Sequence, residues 1–240
     1  MILETLERVL SGNGLITAFM FVGALVWVSY LISGKLTGGR VHGSAIAIGL
    51  GLVLAWWGGQ ATGGSRGLSD IPLFAGVGVM GGAMFRDFAI VATAFGADVR
   101  ALKGAGAVGA LSIVIGVLLS FVIGAVVAVS FGYTDPIAVT TIGAGAATYI
   151  VGPVTGTALG ASSEIIALSV AAGLTKSVLV MIGTPFVASR IGLNNPHSAL
   201  IYGGLMGTTS GVAGGLAATD PKLVPYGAMT ATFYTGAGCL

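Results

Sequence analysis

From Val108 to Phe131 the chain runs for 24 residues without a charge, and few folds can accommodate such a run. About 20 apolar residues cross the hydrocarbon of a bilayer as one helix. A spanning segment must also satisfy its backbone polar groups internally, as a helix, or by closing into a barrel. Barrel strands alternate apolar and polar residues over roughly ten positions. Ile113 to Leu119 reads Ile-Val-Ile-Gly-Val-Leu-Leu and does not alternate. The run is therefore expected to be a transmembrane helix.

It has company along the chain. The candidate segments are Leu15 to Ile32, Ser44 to Trp57, Ile71 to Phe95, Val108 to Phe131, Ile137 to Val151, Ser163 to Ser189, Ser198 to Ala218 and Leu223 to Leu240. Only 8% of residues are charged, against about a quarter in a soluble domain. The expected fold is an all-α integral membrane protein, a polytopic bundle of about 8–10 transmembrane and half-helix segments forming one transporter domain. The first run follows Glu4, Glu7 and Arg8 and is too long for a signal-peptide core, so it reads as a retained helix. Lys35 with Arg40, and Arg100 with Lys103, mark two cytoplasmic loops by the positive-inside rule. The N-terminus is then outside, provided that Ile71 to Phe95 crosses once.

Charge and motifs exclude several functions. The ten basic residues are scattered, which leaves no nucleic-acid footprint and no polybasic lipid patch. One cysteine, Cys239, excludes an intrachain disulfide and any multi-cysteine metal site. No phosphate loop, zinc motif or paired nucleophile and base is present, so neither an ATP motor within the chain nor an enzyme is expected.

Glycine occupies 42 positions, and its placement matters more than its number. In Ile142 to Gly160, Pro153 removes a backbone donor amid glycines, and a break near Gly152 is expected. Gly203 to Gly215 encloses Thr208, Thr209 and Ser210, and a third cluster runs from Gly76 to Gly82. Small residues also let helices pack closely, and that reading covers most single glycines. Glycine joined to proline and clustered hydroxyls points instead to the discontinuous helices of transporters.

An 85-residue shift aligns Thr134-Asp135-Pro136 with Thr219-Asp220-Pro221 and gives eight matches over 23 positions. A weak internal repeat, about 120–150 and 205–235, is expected from it. Asp135 and Asp220 each precede a proline opening an apolar segment, the pattern of a helix cap. Asn194-Asn195-Pro196-His197 reads as a turn starting the next helix, and neither His42 nor His197 is assigned a proton-coupling role.

Charges inside apolar runs are costly and invite a functional reading. Arg86 and Asp87 lie within Ile71 to Phe95, and Lys176 falls midway along Ser163 to Ser189. If Lys176 were in a loop, two pieces of about 18 Å would remain, too short to span. It lies at depth or between the arms of a re-entrant hairpin. Glu164 follows two serines at the start of an apolar run, where a carboxylate suits the helix dipole.

An anion held within a membrane protein needs donors, and half-helix N-termini with hydroxyls supply them. Thr155, Thr157, Thr208, Thr209 and Ser210 are the candidates, with Arg86 offering a bidentate fork for a carboxylate. A sodium ion would want carbonyl and hydroxyl oxygens at the same breaks, Thr148 and Gly152, and a carboxylate, Asp87 or Glu164.

Three strings carry a family likeness: Arg40-Val41-His42-Gly43-Ser44-Ala45-Ile46-Ala47, Gly81-Gly82-Ala83-Met84-Phe85-Arg86-Asp87-Phe88 and Gly204-Leu205-Met206-Gly207-Thr208-Thr209-Ser210-Gly211. With Tyr149 to Gly156 and Ala218 to Gly227, the chain resembles over nearly its whole length the larger (M) subunit of the two-component bacterial malonate:sodium symporter. The resemblance implies malonate uptake across the bacterial inner membrane, sodium as the coupling ion, no cofactor, and a smaller membrane partner, the L subunit. A higher oligomer of that pair stays open. The family's last helix continues past Gly-Cys-Leu, so the tail reads as shortened or replaced. The alternatives on residues alone are a proton-coupled carrier of another small carboxylate, or a channel or structural subunit.

Overall fold

The computed structural model describes residues 2–39, 41–64, 66–80 and 99–239. Every regular element among them is helical. Gly14–Thr37, Gly43–Val79, Gly106–Ser130 and Ser163–Val187 are long and apolar enough to cross a membrane. The chain is an all-α membrane protein, as its apolar runs require. Two compact units divide it, Met1–Phe95 and Gly96–Leu240.

The first unit contains α1 (Ile2–Gly12), α2 (Gly14–Thr37), α3 (Gly43–Thr62), two 3₁₀ turns (Gly67–Asp70 and Pro72–Phe74) and the short α4 (Ala75–Val79). α2 stops at Gly38, whose left-handed backbone donates to Ser33 O. His42 caps α3, its Nδ1 accepting from Ser44 N at 3.4 Å, and packs edge-on to Tyr30 at 5.4 Å. Burial pulls the His42 imidazole below its ordinary pKa, which favours the neutral form that can accept this bond. Trp27, Trp56 and Trp57 stay exposed, consistent with helix faces turned to lipid.

The second unit begins with α5 (Val99–Ser130), which carries a non-helical residue, Gly106. Asp135 Oδ2 accepts from Ala138 N at 2.9 Å and Pro136 occupies the first turn of α6 (Pro136–Ala147), so the expected cap is present. The chain breaks at Thr148 to Ile150 and resumes as α7 (Val151–Leu159). The break expected near Gly152 is present, just ahead of it. Pro153 lies in the first turn of α7, where a missing N–H leaves no helical bond unmade.

α6 and α7 fold back on each other. A Cβ on Gly152 would meet Gly145 Cα at 2.8 Å, and one on Gly156 would meet Thr141 Cγ2 at 2.7 Å. Numbers rise in one arm as they fall in the other, so the arms are antiparallel and form a re-entrant hairpin. α8 (Ser163–Val187) then runs unbroken for 25 residues, capped by Ser162 with Glu164 in its first turn. Gly145 lies against Ser169, and Gly173 against Tyr149 N. The hairpin tip is therefore level with the middle of α8, about half a crossing deep.

A second hairpin enters from the opposite end of α8. It consists of α9 (Pro196–Met206) and α10 (Thr209–Ala217), joined at Gly207 and Thr208. Gly211 lies against Ser177 and Gly214 against Met181, while Tyr202 OH pairs with Thr184 Oγ1 at 2.7 Å. The α10 arm thus packs along the second half of α8, the α9 arm reaches it through Tyr202, and the junction bonds its middle through Thr208 Oγ1 and Ser177 Oγ. α11 (Val224–Gly238) packs on both arms: Gly227 lies against Ala199 O, Val212 and Leu216. α5 serves both hairpins, with Ser112 and Gly116 against Gly204, and Phe121 and Gly124 against Gly143.

In the second unit α5 and α8 are thus each followed by an Asx cap, a proline and a hairpin bent at a threonine. Asp135-Pro136 and Thr148 recur as Asn195-Pro196 and Thr208 at an offset of 60 residues. The 85-residue match instead pairs the cap of a hairpin with Asp220, which caps a 3₁₀ turn leading to a single helix.

Asn195 forms a reciprocal capping box with Ser198. Asn195→Ala is expected to cost about 1 kcal/mol, and Asn195→Asp to cost much less. Thermal unfolding in detergent measures the difference.

Candidate functional site

The tips of both hairpins converge on the middle of α8, where Lys176 stands. Its Nζ donates to Ser120 Oγ of α5 at 2.9 Å, to Ala147 O of α6 at 2.8 Å and to Tyr234 OH of α11 at 3.2 Å. It also lies 4.8 Å from the centre of the Tyr234 ring. All three acceptors are neutral oxygens, and among the described residues no carboxylate pairs with this ammonium. The Ala147 carbonyl is among the last of α6, one of those a helix leaves without an intrahelical partner. A cation is favoured there by the helix dipole.

Tyr234 connects the two tips. Fully buried, it donates to Gly116 O at 3.0 Å, and its ring presses against Gly207. Gly207 adopts φ +65 as the C-cap of α9, a conformation that suits glycine, and a Cβ there would overlap the ring.

The sequence candidates separate by position. Thr208, buried, caps α10 with its hydroxyl accepting from Gly211 N at 3.4 Å. Thr209 and Ser210 form the first turn of α10 beside it, and their hydroxyls carry no hydrogen bond among the described residues. Thr148, also buried, accepts from Ile150 N at 3.1 Å and so caps the turn into α7. Gly152 is a packing position, where a Cβ would strike Gly145 and Ser169.

The others are not brought to the tips. Thr157 is exposed on α7. Thr155 lines an apolar groove of about 380 Å³ between α5, α7 and Gly238, with Val117, Phe121 and Val151. Glu164 is exposed at the start of α8, twelve residues from Lys176 and so about 18 Å along the helix. Arg86 and Asp87 lie outside the described residues. Thr141 Oγ1 is buried in α6 without a hydrogen-bond partner among the described residues.

Ser120, Ser177 and Tyr234 were not legible as site residues. Lys176 did carry a signal, its charge halfway along an apolar run, but nothing in the sequence named its acceptors. Those acceptors come from helices 29 to 58 residues away.

Two half-crossing hairpins place four helix ends at one depth. The N-terminal turns of α7 and α10 favour an anion, and the C-terminal carbonyls of α6 and α9 favour a cation. No curated protein and no solved structure matches the chain. The family profile described as malonate/sodium symporter MadM subunit matches residues 6–240. The chain belongs to that family, as a multi-pass membrane subunit that serves sodium-coupled transport of malonate.

Proposed function

We propose that malonate binds between the tips of the two re-entrant hairpins. In this reading one carboxylate is received by Lys176 and the first turn of α10, with the free hydroxyls of Thr209 and Ser210. The observation that carries it is the Lys176 ammonium, held halfway along an unbroken 25-residue helix, among the described residues, by neutral oxygens alone. A buried cation without a counter-ion is costly, and a dianionic substrate would supply the missing charge.

Sodium is assigned to carbonyl and hydroxyl oxygens at the same tips, where α6 and α9 end. Coupling of this kind needs no cofactor and no catalysis. The smaller L subunit completes the carrier in the bacterial inner membrane, with the N-terminus outside.

The test is uptake of labelled malonate into proteoliposomes holding both subunits. An inward sodium gradient is expected to drive accumulation, and dissipating it to stop accumulation. Thr209→Val with Ser210→Ala is expected to raise the malonate KM about tenfold, the scale of a lost hydrogen bond to a charged group. Uptake indifferent to sodium, or an unchanged KM, would contradict the proposal.

A further inference from the structure

The oxygens around Lys176 are of the kind a sodium ion selects: a helix-terminal carbonyl, an aliphatic hydroxyl and a phenol. We infer that this cage is itself a sodium site, and that the Lys176 ammonium occupies it in place of sodium when the carrier is empty. The inference rests on the reading of Lys176 as the carboxylate partner and adds how the two cargoes are coupled.

Charge and hydrogen-bond requirements both lead there. With Lys176 in the cage, the Ala147 carbonyl has a donor and the ammonium has three acceptors. Sodium arriving alone must evict the ammonium, which leaves two positive charges at depth with no carboxylate paired to them among the described residues. Malonate arriving alone draws Lys176 away and leaves the carbonyl, Ser120 Oγ and Tyr234 OH without the cation they faced. Both events are costly in a low-dielectric interior. When both cargoes bind, the malonate dianion offsets the ammonium and the sodium ion together, and the three cage oxygens face a cation again. Each ligand therefore raises the affinity for the other by one shared factor, as linkage demands.

Lys176 has the reach for this exchange. Its ammonium rides on a flexible four-carbon stem, and neighbouring Ser177 bonds Thr208 at the second tip. A short swing of the stem, without movement of α8, carries the charge from the end of α6 toward α10.

The experiment measures ²²Na⁺ binding to the whole carrier, with and without malonate, by scintillation proximity. The wild type is expected to bind sodium weakly alone and tightly with malonate. In Lys176→Met the cage has no internal competitor. Sodium alone is then expected to bind about tenfold tighter or more, within the range of ordinary site-to-site coupling, and malonate to give no further gain. Sodium affinity that is unchanged or weaker in a folded Lys176→Met carrier would overturn the inference.

Ser120→Ala and Tyr234→Phe test the cage independently, whether or not Lys176→Met folds. Each is expected to weaken sodium binding at saturating malonate at least severalfold, and unchanged sodium affinity in both would overturn the inference. Failure of the underlying reading appears elsewhere, as unchanged malonate affinity of Lys176→Met at saturating sodium.

Discussion

Lys176→Ala is expected to abolish concentrative malonate uptake. The substitution removes the cation at the convergence of the two hairpin tips and leaves the Ala147 carbonyl, Ser120 and Tyr234 facing a void. Truncating one partner of a buried, hydrogen-bonded charge pair costs about 2–5 kcal/mol. In kcat/KM that is a fall of roughly 30- to 4000-fold. Lys176→Arg keeps the charge but replaces a compact ammonium with a planar fork. It is expected to retain some uptake at a raised KM. Initial rates of labelled malonate uptake, normalised to folded carrier by gel filtration, measure both. Wild-type kcat/KM in Lys176→Ala would remove the lysine from the site.

The second large effect concerns two glycines of one helix. A Cβ on Gly173 would overlap Tyr149 N and Gly145 O, backbone atoms at the tip of the first hairpin that have no rotamer to yield. Gly183, ten residues on, has nothing within 4 Å of such a Cβ. Gly173→Ala is expected to destabilise by about 1–3 kcal/mol, the usual cost of overpacking. Gly173→Val is expected to prevent docking of the hairpin and abolish uptake. Gly183→Ala is expected to be neutral or stabilising by up to about 1 kcal/mol, since alanine is the better helix former. Thermal unfolding in detergent with parallel uptake assays separates the two positions, and equal effects would contradict the contact.

Some of this was open to inspection in the chain itself. Asp135-Pro136 and Asn195-Pro196 read as helix starts because capping and the first-turn tolerance for proline are local rules. Ser162 and Glu164 open α8 for the same kind of reason. Pro153 signalled the break near Gly152, but whether it ended one helix or began the next was not readable, because the two prolines look alike in sequence. The offset of 60 residues was obscured by an 85-residue match built on the same local signal, an acidic cap before proline. Glycine, too, has one letter for several jobs. Gly207 answers a backbone need at φ +65 and the Tyr234 ring, whereas Gly145, Gly152 and Gly173 let backbones touch.

The apolar runs by themselves determined that this chain is helical and lies in a membrane, since lipid offers unsatisfied backbone no partner. The caps determined where its helices begin. Only the tertiary structure decided that two interrupted segments turn back halfway and that their tips converge on one lysine. Folding back depends on which helix each arm packs against, and those partners lie tens of residues away, where no local rule reaches. The same packing turned a charge that sequence could only call costly into the centre of the candidate site.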